Sequence, residues 1–501
     1  MSGIAVVIGS KEDPLPRMME KLNHRGPDGQ ITFKKGKVAL GVDRFEVPGS
    51  NLPPLTSWND YVIGMDGYIS NHDELADQTD DEAMNNQEMT VLRLYEKHGP
   101  KALKKLRGMF ALVITDGDRV IAARDAIGIK PLYYATYNGE LYFASELKAL
   151  LEIAEDSEGI AVKEFPPGYY YDSQTKKWHL FSKQFETGKL VDVAPAVVQE
   201  KLAAMVTKEI ETAISDDAPV GLFLSGGLDS SLIAALAIRI NGAPLPTFSV
   251  GTKESSDLLR ARQVAEYIGS EHHEYIYDEQ DITKNLADII YHMESYDSRV
   301  IRPSLGNYLV SRLAAENGVK VVLSGEGADE LFAGYAYMKN LDTDADVHKE
   351  LERSMENLYK FACRRVDRMA AAHSVEVRTP FLNQDIINYA LSLPVELKIH
   401  GEEKTEKWIL RQSFADSKCL PDDILWRKKV PFNRGCGSDD ILEELTDRWV
   451  SDTEYQQSKK QTKDSLIRNK EEYYYYKLFK EIYPQKLIED NMGRWPLEHI
   501  C

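Results

Sequence analysis

Short apolar runs separated by turn residues dominate the first 180 residues. Ile4–Ile8, Val38–Val42 and Tyr61–Met65 are apolar stretches of strand length. Met109–Thr115, Arg119–Ala123, Leu132–Thr136 and Leu141–Phe143 follow, with Asp-Gly and Asn-Gly turn signals between them. Gln87–Lys105 carries a helical period that Gly99-Pro100 breaks. Many pairable strands with few helices predict a sandwich. Residues 181–200 lack strong patterning and are the expected linker. From about 201 a helical stretch leads into Val220–Leu224, an apolar run that reads as a buried parallel strand, and an Ala/Leu/Ile-rich helix follows from Leu232. Thr247–Gly251 and Val319–Leu323 read as further parallel strands, and Asp257–Gly269 as a helical stretch. Residues 470–482, with four successive tyrosines, read as a packing helix. Strand and helix alternating in this way predict an α/β second domain with a doubly wound sheet. The expected organisation is 1–180, a linker at 181–200, and 201–501.

Composition narrows the partners. The chain has 501 residues, 43% apolar and 28% charged, and no apolar run approaches membrane-spanning length. The first residues, Met-Ser-Gly-Ile-Ala-Val-Val, carry no basic segment leading into an apolar one, so no signal peptide is expected and a cytoplasmic location is the default. The net charge is −19, from 61 basic and 80 acidic residues, which argues against nucleic-acid and membrane-surface partners. The four cysteines, Cys363, Cys419, Cys436 and Cys501, have neither metal-ligand nor redox spacing, and the first 362 residues contain none.

Candidate chemistry begins at the turn after Val220–Leu224. Ser225-Gly226-Gly227-Leu228-Asp229-Ser230-Ser231 joins strand to helix. Two glycines let backbone N–H groups approach an anion, the serines add donors, and the helix N-terminus adds positive dipole, so the turn is suited to a phosphate. Asp229 beside phosphates calls for Mg²⁺. The motif resembles the pyrophosphate loop of ATP pyrophosphatases, which cleave ATP between the α- and β-phosphates. It is not a Walker A loop, because no Gly-Lys-Ser/Thr follows. Leu224, Ser225, Gly226, Gly227, Asp229, Ser230 and, at the end of the next strand, Val250 are the expected ATP contacts. A second glycine-bearing turn, Ser324-Gly325-Glu326-Gly327-Ala328-Asp329-Glu330, follows Val319–Leu323 directly. Further on stands a basic run, Arg427-Lys428-Lys429.

A wider resemblance covers nearly the whole chain. His24-Arg25-Gly26-Pro27-Asp28-Gly29, Gly108-Met109-Phe110-Ala111, Arg124-Asp125, Gly128-Ile129-Lys130-Pro131-Leu132-Tyr133-Tyr134 and Phe143-Ala144-Ser145-Glu146 occur in that order. Together they resemble the glutaminase domain of glutamine-hydrolysing asparagine synthetases, an N-terminal-nucleophile hydrolase with an αββα sandwich. In the second half the acidic turn, Glu376-Val377-Arg378-Thr379-Pro380-Phe381-Leu382, Lys407-Trp408-Ile409-Leu410-Arg411 and Trp495-Pro496 resemble the same family. The resemblance implies that Ser324 and Gly325 contact AMP, Glu326 is the general base, Asp329 is the second Mg²⁺ ligand and Lys429 is the catalytic lysine. It implies an AMP-forming ligase that uses ATP and Mg²⁺ to join aspartate and ammonia through an acyl-adenylate; a homodimer is left open.

Departures from the family pattern cluster in the first half. Where the family has Met-Cys-Gly-Ile, this chain has Met1-Ser2-Gly3-Ile4. Arg44 matches the arginine that holds the glutamine carboxylate, while Asp66-Gly67 stands where the family has the oxyanion-forming Asn-Gly. Asn85-Asn86-Gln87 aligns with Gly-Ser-Asp, so Gln87 replaces the aspartate that holds the substrate ammonium. The expected outcome is an ammonia-dependent enzyme, the alternative being Ser2 as a weaker nucleophile. In the second half Arg299–Gly306 departs from the family's aspartate-holding stretch but keeps Arg302 and Ser304, the acceptor-substrate candidates. That departure leaves open a ligase acting on another carboxylate, of the β-lactam synthetase kind. A non-catalytic nucleotide-binding regulator is the remaining alternative.

Overall fold

The computed structural model describes residues 2–495 apart from 10–12, 47–54, 79–85, 155–158, 187–189, 191–192, 215–218 and 462–466. Asn85, Met1, Pro496 and Cys501 of the motifs above lie outside the described residues.

The strands of the first half are β1 (Ile4–Ile8), β2 (Gln30–Lys35), β3 (Val38–Asp43), β4 (Leu55–Trp58), β5 (Tyr61–Ile69), β6 (Gly108–Thr115), β7 (Val120–Arg124), β8 (Tyr133–Tyr137), β9 (Glu140–Ala144), β10 (Ala161–Glu164), β11 (Tyr169–Asp172) and β12 (Lys177–Leu180). They form two six-stranded sheets, ordered β10-β8-β9-β1-β3-β2 and β12-β11-β7-β6-β5-β4. Strand β1 is apolar at every position because both of its faces are covered. Ile4 and Val6 pack with Leu40, Val42, Val62 and Val113 between the sheets. Ala5 and Val7 point the other way, onto Leu15, Met18 and Met19 of helix α1 (Leu15–Glu20). On the far side Val91, Leu92 and Leu94 of α2 (Gln87–His98) cover Ile63, Met65 and Leu112. The result is the four-layer αββα sandwich that the resemblance implied. Strand β5 is longer than its apolar run, so Asp66 and Gly67 sit inside it, opposite Ala111 and Phe110 of β6.

The second half holds β13 (Val220–Phe223), β14 (Pro246–Gly251), β15 (Glu271–Ile276), β16 (Val321–Leu323) and β17 (Glu376–Arg378). All pair in parallel in the order β15-β14-β13-β16-β17. The order winds outward in both directions from β13, so a crevice opens at the carboxyl ends of β13, β14 and β16. Helix α3 (Leu228–Asn241) starts four residues earlier than the apolar pattern indicated, which puts Asp229 in its first turn. Three further helices shape the site: α4 (Ser298–Glu316), α5 (Ala362–Ala371) and α6 (Trp408–Ala415). The tyrosine-rich helix spans Lys470–Ile482, with Tyr475 fully buried among the apolar side chains of this half. A helix at Pro195–Ile214 begins within the 181–200 stretch. Among the described residues no helix is long and apolar enough to cross a membrane.

Candidate active site

The first turn is closed by its own hydrogen bonds and leads into a helix start whose N–H groups are open. Leu224 N–H donates to Phe248 O (2.9 Å), which ties the end of β13 to β14. Ser230 Oγ accepts from Ser225 N (3.1 Å) and lies 2.9 Å from Ser225 Oγ, closing the turn on itself. Gly226 adopts φ +68°, a conformation L side chains resist, and its carbonyl accepts from Arg427 Nη1 (2.8 Å). Gly227 caps α3 without a side-chain hydrogen bond, so the first N–H groups of this 14-residue helix remain available to an anion.

The two turns bring their carboxylates together. Lys407 Nζ lies 2.6 Å from Asp229 Oδ2 and 2.6 Å from Asp329 Oδ1. Lys429 Nζ lies 2.6 Å from Asp329 Oδ2 and 3.9 Å from Asp229. Burial disfavours the charge of Asp329, but Lys407 and Lys429 outweigh it and hold its carboxyl well below the usual carboxylate range. Burial likewise opposes the charge of Lys429, and Asp329 and Asp229 overcome it, so the ammonium is held more firmly than in water. Lys407 is 1% exposed and stands at φ 55° before α6. Gly334 makes room for it, since a Cβ there would collide with both Asp329 and the Lys407 chain. Glu406, its neighbour, accepts from Lys429 N (3.0 Å) and from Arg411 Nη2 (3.1 Å), which braces both lysines from one carboxylate.

This arrangement fits a divalent cation shared with a nucleotide. Asp229 Oδ1 is buried with no hydrogen-bond partner, so a lone pair is open towards the cavity. No group of three or more His, Cys, Asp or Glu among the described residues could hold a metal alone. Mg²⁺ is commonly bound by one or two carboxylates plus substrate phosphates, and two carboxylates beside a phosphate turn supply that set.

The cavity itself is lined by Leu224, Ser225, Gly227, Asp229, Ser230, Val250, Ser324, Gly325, Glu326, Asp329 and Lys429, all sequence candidates. Gly226 shapes the turn without lining it. Glu326 Oε1 accepts from Arg365 Nη2 of α5 (2.8 Å). Arg302 and Ser304 are not among the lining residues. The Arg302 guanidinium binds the Glu471 carboxylate (Nε–Oε1 2.8 Å), and Ser304 is fully buried with its Oγ donating to Val300 O (2.7 Å). From the same helix, α4, it is Asn307 and Val310 that face the cavity, and Asn307 Oδ1 is buried without a partner. Lys407, Arg427 and Asn307 are lining residues that sequence reasoning did not single out. Lys407 stood in a quoted family-like stretch, but nothing in the local pattern sets one lysine apart.

The candidates of the first half meet in a different setting. Ser2 N donates to Asp66 Oδ1 (2.9 Å), and Arg25 Nη2 donates to Asp66 Oδ2 (2.9 Å). Arg25 also reaches Ser2 O (3.2 Å), Glu146 (2.9 Å) and Asp367 of α5 (2.8 Å). Asp66 and Arg25 are both 0% exposed. Burial opposes the Arg25 charge, and Asp367, Asp66 and Glu146 more than offset it. Gly67 lies against Met109 O of the paired strand, where a side chain would not fit. Gln87 Oε1 accepts from Ile69 N (2.7 Å), and Arg44 pairs with Glu46 at a partly exposed edge.

Comparison with known proteins supplies the family. The family described as Asparagine synthase matches residues 201–346 and 338–498, and the Glutamine amidotransferase domain matches residues 1–201. A probable glutamine-hydrolysing asparagine synthetase of Schizosaccharomyces pombe is 36% identical, over 95% of this chain and 91% of its own length. A glutamine-hydrolysing asparagine synthetase of Arabidopsis thaliana is 35% identical, over 97% of this chain and 88% of its own. A probable one of Dictyostelium discoideum is 32% identical, over 99% and 96%.

Proposed function

The chain belongs to the asparagine synthetase family of AMP-forming carbon–nitrogen ligases, and from that premise we propose that it makes asparagine from aspartate, ATP and free ammonia. The division at 181–200 then separates a glutaminase-like half, no longer catalytic, from the ligase half.

In this reading the triphosphate lies on the Ser225–Ser230 turn and the open N–H groups of α3. Asp229 and Asp329 would hold Mg²⁺, which would offset phosphate charge and make pyrophosphate a better leaving group. Lys407 and Lys429 add fixed positive charge on the same side, where charge grows as the α–β bond breaks. The side-chain carboxylate of aspartate attacks the α-phosphorus, giving the acyl-adenylate and releasing pyrophosphate. Ser324 and Gly325 meet the AMP portion, and Asn307 offers an unpaired acceptor to the amino-acid portion. Ammonia then attacks the acyl carbon, Glu326 accepts the proton that the nitrogen must lose, and AMP departs.

The observation that carries the nitrogen source is the Ser2 N–Asp66 contact. There the Ser2 backbone N–H donates at 2.9 Å to Asp66 Oδ1, a fully buried carboxylate. A nitrogen committed as donor to a buried carboxylate is poorly placed to accept a proton from a nucleophile. The same Asp66 stands where an oxyanion needs a donor. The test is aspartate-dependent pyrophosphate release by the full chain with ammonium or glutamine. Release and asparagine formation with ammonium alone support the proposal, and equal rates with glutamine refute it. A ligase acting on a different carboxylate is favoured by one observation, the capture of Arg302 by Glu471 outside the cavity. A screen of carboxylic acids in the same assay decides between them.

A further inference from the structure

We infer that helix α5 is the part through which the N-terminal sandwich sets the ligase's proton acceptor, with Arg365 a positioning residue for Glu326. The inference rests on the proposed role of Glu326.

Helix α5 carries four charged residues on ten positions, and they divide by direction. Arg365 Nη2 donates to Glu326 Oε1 at 2.8 Å. Asp367, two residues on and therefore about 200° round the helix, faces the opposite way. It accepts from Arg25 (2.8 and 3.2 Å) and Lys130 (3.4 Å), both from the sandwich. Arg364 binds Glu164 of β10 (2.9 Å), again in the sandwich. Just past the helix, Ser374 Oγ donates to His24 O (2.8 Å).

The azimuth of a helix is fixed when two of its positions are pinned. Arg364 and Asp367, three apart, are tied to the sandwich by charged hydrogen bonds, while Arg364 also donates to Met492 O and Arg368 pairs with Glu294 as well as Glu146, so α5 bridges the two halves. Leaving one partner of a buried pair uncompensated is costly, so turning or sliding α5 against the sandwich is resisted. The direction in which Arg365 projects is thereby set in part by the N-terminal half. The guanidinium in turn holds the Glu326 carboxylate at the rim of the cavity. On this account Arg25 and Asp66 keep a function apart from glutamine hydrolysis: Asp66 holds Arg25, and Arg25 holds Asp367 of α5.

The experiment uses the full-length enzyme with ATP, Mg²⁺, aspartate and ammonium, and reads the ratio of asparagine to AMP released alongside aspartate-dependent ATP–pyrophosphate exchange. Amide formation consumes the acyl-adenylate productively, whereas water returns aspartate and AMP. Arg365→Ala should lower the asparagine-to-AMP ratio by about ten- to a hundredfold, the scale of a misplaced catalytic group, while exchange changes little. Arg365→Lys should recover most of the ratio. Asp367→Asn and Arg364→Gln, at the far side of the helix, should lower it in the same sense; Arg364→Gln covers the case in which Asp367→Asn does not fold. Glu326→Gln is the reference. If Glu326→Gln leaves the ratio unchanged, the role of Glu326 fails. If it lowers the ratio and Arg365→Ala does not, or if the Arg364 and Asp367 variants lower exchange and amide formation equally, this inference is overturned.

Discussion

The ligase cavity and the cluster around Arg25 are built from the same materials, buried carboxylates facing buried cations, and they differ in what is left over. In the cavity Asp229 keeps an oxygen without a partner, Asn307 keeps its acceptor, and the first turn of α3 keeps its N–H groups. In the Arg25 cluster Asp66 spends one oxygen on Ser2 N and the other on Arg25, and elsewhere in the same half Gln87 spends its carbonyl on Ile69 N. Backbone geometry makes the difference possible. A strand-to-helix turn aims N–H groups outward, whereas Asp66 and Gly67 lie inside β5, whose backbone is paired with β6. An oxygen left without a partner, as at Asp229, can take a ligand, whereas Asp66 with both oxygens taken at the strand has none to offer glutamine.

The largest effect should come from the cavity carboxylates. Asp229→Ala and Asp329→Ala are each expected to lower aspartate-dependent pyrophosphate release by about a thousandfold or more at ordinary Mg²⁺ while the protein stays folded, with a lower unfolding midpoint because Lys407 loses a buried partner. Near wild-type release in either would remove the contrast drawn here. Lys407→Met comes next, with an expected loss of about a hundredfold in the same assay, because it removes a fixed charge 2.6 Å from both carboxylates.

Ser2→Cys sharpens the comparison from the other side. Alone it should yield no measurable glutamate from glutamine, since Asp66 still occupies the amine and opposes an oxyanion. Any glutaminase activity should require Asp66→Asn as well. A single Ser2→Cys variant that hydrolyses glutamine would show that the cluster has capacity to spare.

How much of this was legible in the sequence follows from distance along the chain. Ser225–Ser231 and Ser324–Glu330 were readable because a strand, a glycine turn and a helix start are local patterns. Lys407 was not, because its proximity to Asp229 is set by the packing of α6 across 178 residues of separation. Arg302 and Ser304 lie away from the cavity because the stretch is a helix, and a helix presents only one stripe to a cavity. Asn307 and Val310 lie on that stripe, whereas Arg302 turns to Glu471. The short strands β2 and β4 escaped because they are edges; β2, with its lysines, is largely exposed and lacks an apolar run.

A smaller effect should appear in the pH dependence of stability. Asp43 is fully buried in the first half, and burial pushes its carboxyl from 3.8 up to about 8. Below pH 4 the group is protonated in both folded and unfolded chains. Between pH 4 and 8 the unfolded chain ionises first, so its contribution to stability is lost as pH rises through that window. Asp43→Asn should remove this slope, raising stability near pH 8 by on the order of a few kcal/mol and leaving it unchanged near pH 4. Unfolding midpoints of both proteins across that range check it.

The most direct test of the central contrast is glutamate release from glutamine by the full-length enzyme, measured with ATP, Mg²⁺ and aspartate present and set beside asparagine formation from ammonium. Asparagine from ammonium, with glutamate no higher than in buffer, is the predicted result. Glutamate release that keeps pace with asparagine formed from glutamine would contradict it.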